Sequence, residues 1–245
     1  MPNSDLFLQT FIDLEHWLRQ RAEVGRGHAF SSVVDRLSRT DPAVRRYKDD
    51  LREFAELRNA IVHERGGGFV IAEPNDWVLE RIESVRDALL APPGLLPGFQ
   101  VEVSRCAVHD PIGAAVTEMR DGDFSQLPVI DEGRTVALLT AKTICRWLGA
   151  ESGNDLVSLL ETRVEEVLEH REGGADEEHY RLLDRAASAQ DALTVFDEFA
   201  GRGRELDAIL ISHSGRAEEK LLGIVTIHDF PRILESLGLA PEGRD

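Results

Sequence analysis

The chain has 245 residues, enough for two ordinary domains, and its 42% apolar and 30% charged content excludes a disordered polymer. No apolar run approaches the roughly 20 residues of a membrane span and the N-terminus carries no signal-peptide pattern, so the expected setting is cytoplasmic with no membrane partner. The net charge of −17 is uneven, with 13 Lys/Arg against 16 Asp/Glu over residues 1–95 and 15 against 29 over 96–245. That excludes a general nucleic-acid coat protein: the C-terminal part repels polyanions outside any local basic pocket, and the near-neutral N-terminal part tolerates one at a local site.

Residues 1–91 read as all helix. Ser4 is the expected cap of a first helix carrying Phe7, Phe11, Leu14 and Leu18, which stops before Gly25-Arg26-Gly27. A short second helix carries Phe30, Val33, Val34 and Leu37. Thr40-Asp41-Pro42 opens a long third helix over 42–65, with Pro42 suited to the first helical position, and Gly66-Gly67-Gly68 ends it. After a loop holding Phe69-Val70-Ile71, Asn75 or Asp76 caps a fourth helix with Val78, Ile82, Val85 and Leu89. The expected result is a small four-helix bundle.

The third helix contains an anomaly. Its apolar seam runs Val44, Tyr47, Leu51, Phe54 and then Ile61, and the position that should bridge Phe54 and Ile61 is Arg58. A guanidinium in an apolar seam is costly unless it is paired or faces a polar cavity. His63, which titrates near neutrality, follows shortly after.

Ala91-Pro92-Pro93-Gly94 through Pro97-Gly98 reads as a linker, set at 92–99. Beyond it one layout occurs twice: apolar helix, strand, turn, second strand, helix. The first copy uses 111–121, Leu127–Ile130, Thr135–Thr140 and 141–149; the second uses 189–200, Asp207–Ser212, Leu221–Thr226 and 228–237. Between them lie an amphipathic helix near 155–169 and an acidic stretch, Glu172 to Glu178, read as a solvated loop. Cys106 and Cys145 lack metal-ligand spacing and are expected to fill core. The fold class is therefore multi-domain: an all-α bundle over 1–91, then an α/β pair over 100–150 and 151–240.

In the second copy, Gly223-Ile-Val-Thr226-Ile-His-Asp229 lies where the last strand enters the last helix. Thr226 offers a hydroxyl and the helix N-terminus offers amide donors to a phosphate, and a carboxylate at Asp229 can accept from ribose hydroxyls. The bland reading is that Thr226 and Asp229 cap the helix; the two readings are compatible. This repeat resembles a pair of cystathionine-β-synthase (CBS) motifs over 100–238, whose signature is Gly-x-x-Thr-x-x-Asp. The resemblance implies an adenine nucleotide (AMP, ADP or ATP) as regulatory ligand, held by Gly223, Thr226 and Asp229. The first copy, Ala137-Leu-Leu-Thr140-Ala-Lys-Thr143, keeps Thr140 but has Thr143 in place of the aspartate, so the second copy is the better expected nucleotide site; Lys142 at the same helix entrance could still meet a phosphate.

Residues 4–91 resemble the HEPN family, whose ribonuclease members carry Arg-x4–6-His near the end of the third helix with a polar residue after the arginine. Arg58, Asn59 and His63 match, as does Leu57-Arg58-Asn59 through His63-Glu64. The resemblance implies a metal-independent endoribonuclease with these three as catalytic residues, acting on RNA through 2′-hydroxyl attack to leave a 2′,3′-cyclic phosphate. Five residues span ~7.5 Å along a helix and about 140° around it, so Arg58 and His63 do not share a face, whereas Asn59 and His63 do. A two-fold axis beside this helix end would bring two copies of each group together, which makes a homodimer the expected active species. Arginine then stabilises the phosphate charge and histidine moves protons. The plain alternative has Arg58 paired with Glu56 or Glu64 and His63 capping the helix C-terminus. Two rival functions stand beside the nuclease: a non-enzymatic nucleotide sensor whose bundle mediates dimerisation or docking, and one half of a pair with a separate nucleotidyltransferase chain.

Overall fold

The computed structural model describes residues 2–62 in full, the backbone of His63, and residues 72–153, 157–172 and 179–237. Gly66-Gly67-Gly68, the Phe69–Ile71 loop and most of the acidic stretch lie outside the described residues, as does the His63 side chain. Two compact units make up the chain. Among the described residues one holds 2–93, 188–197 and 231–237, and the other holds 94–187 and 198–230.

The N-terminal region is helical, with α1 (Asn3–Arg21), α2 (Phe30–Thr40), α3 (Pro42–Arg46), α4 (Lys48–His63) and α5 (Asp76–Leu90). Apolar residues three and four apart build its core: Phe7, Phe11, Leu14 and Leu18 of α1 face Val33, Val34, Leu51, Phe54, Ile82 and Val85, and all are buried. Phe7 meets Phe54 edge-on at 6.0 Å. Such a side chain contributes about 1.5–3 kcal/mol by leaving water, and truncating Phe7 to Ala should cost about 3–5 kcal/mol.

Two sequence expectations change here. The first helix starts at Asn3, not after Ser4: the Ser4 N–H donates to Glu73 Oε1 at 3.1 Å, and Asn3 Nδ2 donates to Pro74 O and Asp76 Oδ1 at 3.0 Å each. Glu73, in the segment entering α5, thus takes a backbone amide of the kind that a hydroxyl cap serves, and the Asn3 side chain ties the same segment to α1. The long third helix is broken at Tyr47, where φ −99° and ψ 15° leave the helical region. The break lets Val44, Tyr47 and Leu51 all reach zero exposure. Asp41 caps α3, accepting from the Ala43 and Val44 amides at 2.9 and 3.4 Å, and Pro42 follows at the first helical position. Asn75 caps α5 through the Val78 amide at 3.0 Å.

Beyond residue 94 strands and helices alternate: β1 (Cys106–Ala107), α6 (Ile112–Gly122), β2 (Gln126–Asp131), β3 (Arg134–Thr140), α7 (Ala141–Ala150), α8 (Val164–Leu168), β4 (Tyr180–Asp184), α9 (Ala189–Gly201), β5 (Ala208–Ser212), β6 (Gly223–Val225) and α10 (Phe230–Ser236). Two small sheets result, ordered β1-β2-β3 and β4-β5-β6. In each the first pairing is parallel and the second antiparallel, so the doubled layout is a doubled topology. The β2–β3 turn has Glu132 and Gly133 at φ 45° and 82°, the paired left-handed conformation of a two-residue hairpin.

Leu127, Val129, Ala137 and Leu139 pack with Ile112, Met119, Trp147, Val164 and Val167 in the first sheet's core. Leu138 turns the other way and joins Ala208, Leu210 and Leu221. All five β5 residues are buried, and the first four, Ala208 to Ile211, form the continuous apolar run of a strand covered on both faces. The leading strands β1 and β4 were not anticipated, and the amphipathic helix expected near 155–169 contracts to α8. Cys106 is core, but Cys145 is exposed on α7, so its core-filling expectation fails.

Candidate functional site

Two strand-to-helix turns occupy equivalent places in the doubled topology. At the first, Thr140 ends β3 in an extended conformation and heads α7, its Oγ1 accepting from the Thr143 amide at 3.1 Å. The hydroxyls of Thr140 and Thr143 are also 3.0 Å apart, and both residues are buried. The Ala141 amide donates to Ser125 O at 2.8 Å. The Ala141 and Thr143 amides are thus engaged within the fold, and side chains gather at the same turn.

Those side chains line a cavity of ≈ 330 Å³. Lys142 and Arg146, four apart on one face of α7, supply two cations, and Arg171 and Arg204 supply two more. Carboxylates come from Glu172, Glu205 and Asp207, beside His179. Lys142 Nζ pairs with Glu172 and with Glu205 at 3.1 Å, and Arg146 reaches Glu172 at 3.1 Å. Bonds to these carboxylates raise the Lys142 pKa, and the two cations hold Glu172 below the usual carboxylate range. All three side chains are about half exposed, so the pairs tune charge rather than hold the fold. Asp207 differs: burial is the first cause that pushes its carboxyl upward, opposed by His179 and then Lys142.

At the second turn Thr226 is again extended, leading through a 3-10 turn, Ile227–Asp229, into α10. Asp229 Oδ2 accepts from the Thr226 amide at 2.9 Å and its hydroxyl at 3.2 Å, and the Asp229 amide donates to Thr226 O at 3.0 Å. Thr226 and Asp229 are thus brought together, in the bonds of a capped turn. Gly223 is set by packing: a Cβ there would lie 2.3 Å from the Phe99 carbonyl oxygen. Lys142, expected to be available for phosphate, instead holds two carboxylates.

In the helical unit Arg58 is half-buried, and its Nη1 donates to Asn59 Oδ1 at 3.2 Å. Both line a cleft of ≈ 650 Å³ with Phe11, Arg19, Phe30 and Arg52. Arg19 is held by Glu15 at 2.6 Å and Arg52 by Asp35 at 2.7 Å. Whether Arg58 and His63 converge lies outside the described residues. Among the described residues no group of three or more His, Cys, Asp or Glu is placed to hold a metal ion, and no helix is long and apolar enough to cross a membrane.

The CBS-domain family model matches residues 102–150. That segment is a CBS domain. It contains β1 through α7, and therefore the Thr140–Thr143 turn. None of the curated proteins matches the chain. Solved structures similar to it include MJ1225 from Methanocaldococcus jannaschii, 13% identical with a TM-score of 0.44 over 75% of this chain and 62% of that one. The CBSX2 complex with AMP is 14% identical, with a TM-score of 0.41 over 58% of this chain and 96% of that one. The CBS pair of MJ0100 in complex with 5′-methylthioadenosine and S-adenosyl-L-methionine is 15% identical, with a TM-score of 0.37 over 56% and 93%.

Sequence reasoning missed Arg146, Arg171, His179, Arg204 and Asp207 at the CBS-domain turn. The signal for Arg146 was its spacing of four from Lys142. His179, Arg204 and Asp207 come from the segments that lead into β4 and β5, whose parallel pairing sets His179 beside Asp207, and Arg171 comes from the segment after α8; no local pattern reveals either.

Proposed function

We propose that the CBS domain and the topologically equivalent second half form a regulatory module that binds an adenine nucleotide, with the leading site at the Thr140–Thr143 turn. The observation that carries this reading is the gathering of Lys142, Arg146, Arg171 and Arg204 around one cavity in a chain of net charge −17. A cavity of ≈ 330 Å³ falls at the lower end of the ~300–1,000 Å³ typical of small-ligand sites. An entering phosphate takes over Lys142 and Arg146 from Glu172, and charge-assisted bonds replace ion pairs that water already screens. Titration calorimetry with AMP, ADP and ATP tests it. Lys142→Gln should weaken binding by about tenfold or more, the worth of one charge-assisted hydrogen bond. Absence of binding by all three, or equal affinity in the variant, would overturn the assignment.

The second reading is a metal-independent endoribonuclease in the helical unit, acting as a homodimer and governed by the nucleotide. It is favoured by one observation: Arg58 and Asn59 are bonded together on the wall of a cleft that also presents Arg19, Arg52 and the half-buried Phe30. A nucleotide would act by favouring one of two dimer arrangements, and hence the assembly of a shared site. Cleavage of labelled RNA in the presence of chelator should be lost in both Arg58→Ala and His63→Ala, and partly restored when those two chains are mixed. Cleavage at the wild-type rate by His63→Ala would return the helical unit to a docking role. Co-purification of a nucleotidyltransferase chain would make it half of a two-chain pair.

A further inference from the structure

The first turn has no carboxylate of its own, since Thr143 occupies the place that Asp229 holds in the second. Yet a carboxylate lines the same cavity from a different segment: Asp207, the residue before β5. Its backbone is pinned at both ends, the amide donating to His179 O at 2.8 Å and the carbonyl accepting from Gln126 Nε2 at 3.2 Å. Both partners belong to this unit, so the side chain springs from a fixed point. It is 28% exposed, unlike Glu205 beside it at 80%. His179 Nδ1 stands 3.7 Å from Asp207 Oδ2, within ion-pair range when the imidazole is charged but too far for a hydrogen bond.

The three carboxylates of the cavity therefore divide by what they hold. Glu172 and Glu205 occupy the Lys142 cation, and Glu172 also occupies Arg146. Asp207 takes neither. A half-buried carboxylate on the wall of a cationic cavity suits a ligand with anionic groups at one end and hydroxyl donors at the other. A nucleotide has both, because vicinal ribose hydroxyls can donate together to one carboxylate while the phosphates lie on the cations. An all-anionic ligand such as inorganic pyrophosphate would be repelled by Asp207.

We propose that Asp207 is the ribose-recognition residue of the first-turn cavity, supplying from the loop before β5 the carboxylate that Thr143 lacks. The inference rests on nucleotide binding at this cavity. It makes the site selective for ribonucleotides over deoxyribonucleotides through a residue outside the Thr-x-x-Thr motif.

Calorimetry with AMP, 2′-deoxy-AMP and 3′-deoxy-AMP tests it on the full chain. Wild-type protein should prefer AMP over at least one deoxy analogue by about tenfold or more. In Asp207→Asn, which keeps the side-chain shape, that preference should fall to within about threefold, because an amide can still accept but without charge assistance. Asp207→Ser gives the same readout should the amide be poorly accommodated, and a thermal melt verifies the fold of each. A preference that survives both substitutions overturns the assignment. A preference lost in Asp229→Asn but kept in Asp207→Asn moves ribose recognition to the second turn and likewise overturns it. If wild-type protein binds none of the three, the nucleotide reading itself falls, a result distinct from binding without an Asp207 effect.

Discussion

The two strand-to-helix turns share a topology and a backbone, with Thr140 and Thr226 both extended at φ −117° and −120°, but their carboxylate chemistry is opposite. At Thr226 the local carboxylate of Asp229 turns back on the turn itself, taking the Thr226 amide and hydroxyl. At Thr140 the cap is made by hydroxyls alone, and carboxylates and cations reach the cavity from other segments. The copy with the fuller motif spends it on its own backbone, whereas the copy with the poorer motif sits beside a built cavity. A motif reports which groups are near one another in sequence, and a site depends on which groups the fold leaves facing a common space.

The comparison breaks most sharply at the residue three before each threonine. Gly223 abuts the Phe99 carbonyl, which an added Cβ would approach to 2.3 Å against backbone that cannot swing aside. Ala137, its counterpart, is 4% exposed and carries a Cβ within the first core. Gly223→Ala should therefore destabilise by about 2–4 kcal/mol, through overpacking and loss of the Gln100–Gly223 bridge. Ala137→Gly should cost only about 0.5–1 kcal/mol. Urea midpoints read both, and similar costs would mean that the two copies are packed alike after all.

The next difference concerns Asp229. If its role is to close its own turn, Asp229→Ala should lower stability by about 1 kcal/mol, as loss of a helix-terminal cap does, with or without nucleotide. Thr143→Ala should cost less, since Thr140 still caps α7 through the Thr143 amide. A ligand-dependent loss at Asp229 would instead make the second turn a working site.

The helical seam and the doubled α/β layout were legible because periods of 3.6 and 2 leave a trace in every window of residues. Val44, Tyr47 and Leu51 fit one helix by spacing, so the break at Tyr47 left no such trace: it is a backbone event that keeps the same residues buried. Strand β4 was missed because its residues are half-buried or exposed, giving neither alternation nor an apolar run. At the candidate site Thr140, Lys142 and Thr143 could be read locally. Asp207 could not, because only the parallel pairing of Tyr180 with Ala208 and the Gln126 contact place its loop on the cavity wall. In the helical unit Arg58 broke the seam in sequence, and in the structure it is half-buried on a cleft wall beside Asn59.

The smallest expected effect is also the one that separates binding from folding at Asp207. Burial raises its carboxyl above the ordinary value of 3.8, so the native state holds that proton more tightly than the unfolded chain does. By linkage, stability attached to this group is fully present at acid pH, declines as pH rises from the unfolded toward the folded pKa, and stays lost above both. At neutral pH the ionised carboxylate is therefore a mild burden on the unliganded fold, and Asp207→Asn should relieve it. The gain should stay below about 1 kcal/mol, within the range of ordinary partly exposed substitutions. It should vanish well below the ordinary value of 3.8, where the wild-type group is protonated in both states. Glu219, whose pKa is lowered by its bonds to Ser214, loses its contribution toward acid in both proteins, so the difference between the two melting curves reports Asp207 together with the charges coupled to it, His179, Lys142, Glu205 and Glu172. A variant more stable at pH 7 yet without ribose preference would show a residue kept for its ligand at the expense of the fold. A variant destabilised at pH 7 would show that the carboxylate is held by the protein for itself, and would make Asp207 resemble Asp229.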